Sequence, residues 1–164
     1  MEILGAEKIK SIIKRLAIQI VENNYESKTI YLAGINNNGF AFAKLIVAQL
    51  KKISDIDFQL VNIRLNPAKP LDQEITLSLE GKQMKNKVVI IVDDVANTGR
   101  TIFYAFKPFM EFVPKKLEVA VLVDRKHKSF PICVDYVGLS LATTMKESIK
   151  VDLKKAKERK VELV

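Results

Sequence analysis

The chain has a single cysteine, Cys133, a single histidine, His127, and no tryptophan in 164 residues. A lone cysteine excludes an internal disulfide, and one cysteine with one histidine excludes a zinc site built from several such ligands, so any metal must sit on oxygen. No apolar run approaches the roughly 18 residues of a membrane span. The start, MEILGAEKIK, lacks the apolar stretch and small-residue cleavage site of a secretory signal, so a cytoplasmic protein with no membrane partner is expected. No long polar tract is present, which excludes disordered and collagen-like classes. What remains is 48% hydrophobic and 28% charged, the composition of a globular protein, and the length suits a single domain over residues 1–164. Basic residues outnumber acidic ones 27 to 19, for a net charge of +8. That balance favours polyanionic partners such as phosphorylated substrates or nucleic acid.

Ile9, Ile12, Ile13, Leu16, Ala17, Ile20 and Val21 recur at helical spacing among lysines and Arg15, predicting an amphipathic helix over residues 6–24. Residues 29–35 read as a short buried strand, 36–39 as a turn and 40–52 as a helix. Further strands are predicted at 58–65, 87–92 and 117–123, with a helix over 99–112. This alternation implies an α/β fold, a mostly parallel sheet with helices on both faces. Residues 66–86 contain two prolines, Gly81 and a weak alternation at Ile75, Leu77 and Leu79, which suits a mobile flap or hairpin. After Pro131, strand-like pieces at 133–141 and 148–153, a charged stretch at 154–160 and an apolar end at 161–164 suit a small C-terminal hood.

The most informative stretch is VVIIVDDVANTGRT, residues 88–101: a buried strand, two adjacent carboxylates, then a turn opening a helix. Its layout is a binding site at the carboxyl end of a parallel strand. Backbone N–H groups from Ala96, Asn97, Thr98, Gly99, Arg100 and Thr101 can point into one concavity. There the helix dipole, the two threonine hydroxyls and the Arg100 charge favour a phosphate. Asp93 and Asp94 would repel that phosphate and instead suit a neighbouring diol or a bridging divalent cation. A sugar phosphate satisfies both halves. Neither a P-loop nor a dinucleotide-binding glycine motif is present.

VVIIVDDVANTGRT resembles the phosphoribosyl pyrophosphate (PRPP) signature of the type I phosphoribosyltransferases. VAVLVDRKHKSFPICVDYVGLSLATT, residues 119–144, is similar to the corresponding segment of the pyrimidine-operon attenuator proteins, bifunctional regulators with uracil phosphoribosyltransferase activity. YLAGINNNG matches the family's pyrophosphate-loop region in position. The resemblance implies that Asp93 and Asp94 hold the ribose hydroxyls and that residues 96–101 wrap the 5′-phosphate. Pyrophosphate, with a magnesium ion carried mainly by PRPP, would lie against Ile35, Asn36, Asn37, Asn38 and Gly39. The base would sit under the hood near Tyr136 and Val137, with Asp124 and Arg125 at the edge. Arg64, at the start of the flap, takes the place of a catalytic flap arginine.

Three departures from the family pattern stand out. The pyrophosphate loop usually carries Lys or Arg between its glycines, whereas Asn36, Asn37 and Asn38 donate only neutral hydrogen bonds. Arg64 is followed by Leu65 and Asn66 rather than two acidic residues, and Asn97 replaces an aromatic residue. The leading reading is a magnesium-dependent uracil phosphoribosyltransferase, a glycosyltransferase. The rival is a PRPP or nucleotide sensor that acts on RNA through a basic face with little turnover. A homo-oligomer is expected under either. His127 is either a solvated loop side chain or a substrate or RNA contact, the charges of 154–160 are either a solvated face or a nucleic-acid contact, and Cys133 reads as a buried small hydrophobe.

Overall fold

The computed structural model describes residues 1–164 except Thr143 and Met145; Thr143, in the segment that resembles the attenuator proteins, lies outside the described residues. In chain order the elements are β1 (Glu2–Leu4), α1 (Ala6–Asn24), β2 (Thr29–Ile35), α2 (Asn36–Ile53), β3 (Asp57–Arg64), β4 (Thr76–Leu77), β5 (Val88–Ala96), α3 (Arg100–Ala105), β6 (Lys116–Arg125), β7 (Tyr136–Leu141), β8 (Ile149–Asp152) and β9 (Lys160–Leu163). Six strands form one sheet in the order β4-β3-β2-β5-β6-β7, parallel throughout except where β4 turns back along β3. The sheet is covered on both faces, which is why β2 and β5 read as continuous apolar runs.

On one face Ile9, Leu16 and Ile20 of α1 and Phe42, Ile46 and Leu50 of α2 pack on Ile30, Leu32, Ile90 and Leu122. On the other, Ile102 and Ala105 of α3, with Phe109, cover Ala33, Ile63, Val89, Ile91 and Val121. Each such isoleucine or leucine, fully withdrawn from water, contributes about 1.5–3 kcal/mol. The helix expected over 99–112 stops at Ala105 and continues as a 3-10 turn at Lys107–Met110. Pro108 explains the break, since it lacks an N–H and its ring collides with the carbonyl four residues back.

The flap segment forms a hairpin in which β4 pairs with the end of β3, Ile63 opposite Leu77 and Arg64 opposite Thr76. Ile75 beside it is buried. The hood is a separate antiparallel sheet, β1-β9-β8, which recruits the N-terminal strand as well as the C-terminal ones. Cys133 is exposed and precedes β7 by three residues, correcting its expected burial in a strand. Among the described residues no helix is long and apolar enough to cross a membrane.

The order of the sheet locates the site. From β2 the chain crosses outward to β3 on one side, and from β5 it crosses to β6 on the other. The loops leaving the carboxyl ends of β2 and β5 therefore diverge and leave a crevice between them.

Candidate active site

The β2 loop is shorter than the sequence suggests. Asn36 has φ +51°, a conformation asparagine tolerates, and α2 begins at that residue, replacing the turn expected over 36–39. The asparagine side chains differ in task. Asn36 brackets Leu65, accepting from its N–H at 3.1 Å and donating to its carbonyl at 3.0 Å. Asn62 of β3 donates to the carbonyls of Gly34 and Asn36 at 3.0 and 3.1 Å. Asn37 accepts from the Arg64 guanidinium at 2.8 Å. Asn38 donates to Asp94 Oδ2 at 3.0 Å. Gly39 passes so near β5 that a Cβ there would lie 2.6 Å from the Val92 carbonyl oxygen.

The two carboxylates of β5 stand in different surroundings because successive residues alternate across a strand. Asp93 is only 8% exposed, so it forms part of the floor of the crevice. Burial foremost, then the charge of Asp94, pushes its carboxyl well above the ordinary 3.8. Its Oδ1 accepts from the Asp94 N–H at 2.9 Å. Asp94 is half-buried, with Oδ1 on the Val95 N–H at 2.9 Å and Oδ2 on Asn38.

After β5 the chain turns through residues 97–99, with Gly99 at φ +85°, and enters α3. The Thr98 carbonyl accepts from the backbone N–H groups of Ser129 and Phe130 at 2.9 and 3.1 Å, and Thr98 Oγ1 accepts from the Arg100 N–H at 3.4 Å. A concavity of about 50 Å³ results, walled by Val95 through Ile102, where N–H groups at the start of α3 are available to an anion. The Arg100 guanidinium bonds the Ala68 carbonyl at 3.1 Å, tying the turn to the flap segment.

Beside this concavity lies a cleft of about 460 Å³, walled by residues of both loops including Asn36, Asn37, Asn38, Asp93, Asp94 and Asn97. Ile149 of the hood and Pro67 of the flap segment also line it; neither was marked by the sequence, because both reach the cleft only through tertiary packing. A second cavity of about 290 Å³ is lined by Asn97, Thr98, Arg125, His127, Lys128 and Ser129. Arg125 joins the two regions, donating to Asn97 Oδ1 at 3.1 Å and to the Thr144 carbonyl at 2.8 Å. Asp124 is paired with Lys128 at 2.6 Å.

Tyr136 and Val137 stand apart from this constellation, which corrects their assignment to the base. Tyr136 is 1% exposed in the core shared with α1. Its hydroxyl donates toward Glu118 at 3.0 Å and accepts from Asn24 at 3.1 Å. The Val137 carbonyl accepts from Arg15 at 3.1 Å. Among the described residues no group of three or more His, Cys, Asp or Glu side chains could hold a metal ion.

Residues 1–155 match the family described as phosphoribosyl transferase domain. The chain is 34% identical over 163 aligned positions to a protein named bifunctional protein PyrR from Enterococcus faecalis, covering 93% of this chain and 89% of that one. It is 33% identical to a protein of the same name from Pediococcus pentosaceus, covering 99% and 97%. Among solved structures, a hypoxanthine phosphoribosyltransferase from Staphylococcus aureus superposes with TM-score 0.74 at 20% identity, over 88% of this chain and 80% of that one. A hypoxanthine-guanine phosphoribosyltransferase from Bacillus anthracis gives 0.72 at 22%, over 86% and 82%. At those identities the structural likeness speaks for the fold alone.

Proposed function

The chain belongs to the phosphoribosyl transferase domain family, and on that premise we propose that it moves the 5-phosphoribosyl group of PRPP onto a nitrogen of uracil, giving UMP and pyrophosphate in pyrimidine salvage. The observation that carries this reading is the concave turn of residues 96–101 set directly after the Asp93–Asp94 pair at the carboxyl end of β5. That juxtaposition suits a 5′-phosphate beside a ribose diol. The similarity to the pyrimidine-operon attenuator proteins supports uracil as the acceptor.

In the proposed reaction the base nitrogen forms a bond to ribose C1 while the bond from C1 to pyrophosphate breaks, its electron pair leaving with pyrophosphate; the proton of the base nitrogen passes to solvent. Positive charge grows at C1 and negative charge on the leaving group, so the chain contributes mainly by alignment and preorganised polar groups. Residues 96–101 anchor the phosphate, Asp94 takes a ribose hydroxyl, and Asp93, kept toward its neutral form by burial, limits the charge beneath the sugar. Asn37, with the Arg64 guanidinium behind it, and Asn38 face the leaving group, and Arg125 with Asn97 borders the base. Magnesium fits as an ion carried by PRPP, because Asp93 is buried and both Asp94 oxygens already have partners; when bound it would neutralise pyrophosphate charge. A cytoplasmic homo-oligomer, each copy a single domain, completes the proposal.

One observation favours the sensor reading. The residues that line the 460 Å³ cleft include two carboxylates and, among the described residues, no lysine or arginine, so leaving-group stabilisation by the cleft wall is weak. A protein with that wall could hold PRPP or a nucleotide and report it to RNA through its excess of positive charge. Pyrophosphate release measured with uracil, hypoxanthine, guanine, adenine and orotate separates the two. Uracil-dependent release supports the transferase; PRPP binding without release for any base supports the sensor.

A further inference from the structure

We propose that Asn38 is a latch that ribose binding releases toward pyrophosphate, coupling the two halves of the cleft. Resting on the reading of the cleft as a PRPP site, it makes Asn38 a positioning residue for the ribose as well as a donor to the leaving group. Asn38 Nδ2 lies 3.0 Å from Asp94 Oδ2, and the other oxygen of that carboxylate takes the Val95 N–H at 2.9 Å. Asp93 is the less accessible of the two, being buried with its Oδ1 on the Asp94 N–H. A ribose hydroxyl that donates to Asp94 Oδ2 enters in competition with the Asn38 amide and displaces it.

The displaced amide is exposed in the first turn of α2, on the side of the cleft assigned to the leaving group. There it exchanges one anionic acceptor, the carboxylate, for another, a pyrophosphate oxygen. Both are charge-assisted hydrogen bonds from a neutral donor, so the exchange is nearly balanced and the latch turns easily. Ribose and pyrophosphate binding then favour each other, and by linkage the coupling is the same in both directions.

Calorimetric titrations of the full chain with ribose 5-phosphate, magnesium pyrophosphate and PRPP, in wild type and Asn38→Ala, test this. Alanine suits a helix start exposed to solvent, and a thermal melt verifies folding. In wild type, saturating ribose 5-phosphate should tighten pyrophosphate binding. In Asn38→Ala, ribose 5-phosphate should bind about threefold more tightly, pyrophosphate should bind about threefold more weakly to the ribose-loaded protein, and the coupling should vanish. If wild type binds neither ribose 5-phosphate nor PRPP, the site reading falls and the latch with it. If wild type binds both and Asn38→Ala moves the two affinities in the same direction or leaves them unchanged, the latch alone is overturned.

Discussion

Arg64, at the end of β3, holds its guanidinium 2.8 Å from Asn37 Oδ1, so a cation from a neighbouring strand is set against a pyrophosphate loop that has none of its own. Replacing that cation by a neutral group of similar length should remove a charge-assisted interaction worth about 1.5–3 kcal/mol. Arg64→Gln should accordingly lower kcat/KM for PRPP about ten- to a hundredfold in steady-state pyrophosphate release, with Arg64→Lys intermediate. An unchanged kcat/KM in Arg64→Gln would remove Arg64 from the machinery.

Asp93 makes a pH prediction. Its carboxyl is raised above the ordinary 3.8 by burial and by Asp94, so the folded chain keeps this proton at pH values where the unfolded chain has lost it. The stability it contributes is complete below about pH 4 and is lost as pH rises toward its folded value. Asp93→Asn, which stays neutral, lacks this loss. The difference in Tm, variant minus wild type, should therefore grow between pH 4 and pH 7. A difference that is constant or shrinks with pH contradicts a raised Asp93.

Gly99 carries the turn at φ +85°, and a Cβ there would lie 2.8 Å from Ile132 Cγ1. Gly99→Ala should cost about 1–2 kcal/mol of backbone strain, part of it relieved by distorting residues 97–101. A lower Tm together with weaker ribose 5-phosphate binding is the expected pair of results. Loss of Tm with unaltered affinity would separate the turn from the phosphate.

Asn38→Arg restores the charge that the family's loop usually carries. If leaving-group stabilisation limits turnover, pyrophosphate release with uracil should rise about three- to tenfold at limiting magnesium and less at saturating magnesium, where the ion already supplies the charge. A fall at every magnesium concentration would mean that Asp94 captures the new cation and that release of residue 38 governs the rate.

Much of this was legible where interactions are local. The apolar run of β5, its two carboxylates and the following turn lie within 14 consecutive residues, and a strand-to-helix turn needs little else to define it. Long-range pairing was less visible. Asn36 reads as part of an ordinary turn until its side chain is seen bonding both backbone groups of Leu65, 29 positions away. Tyr136 looks like a base-site residue by its neighbours in sequence, yet it shares a sheet face with Gly138, whose missing Cβ would meet Ile12 of α1. That face is turned to the helix, so Tyr136 enters the core and joins Asn24 and Glu118. β1 is only three residues long and exists because β9 pairs with it, which no local propensity announces.

The transferase reading, and a sensor of PRPP, require PRPP to dock with its 5′-phosphate in the turn of residues 96–101. Calorimetric titration of PRPP with magnesium into wild type and into the Thr98→Ala, Arg100→Ala double variant tests that requirement most directly. The double variant removes the Thr98 hydroxyl and the Arg100 charge while leaving the sheet core untouched. Binding to wild type, weakened at least about tenfold in a folded double variant, is the predicted result. Equal affinity in the two proteins, or none in wild type, would contradict it.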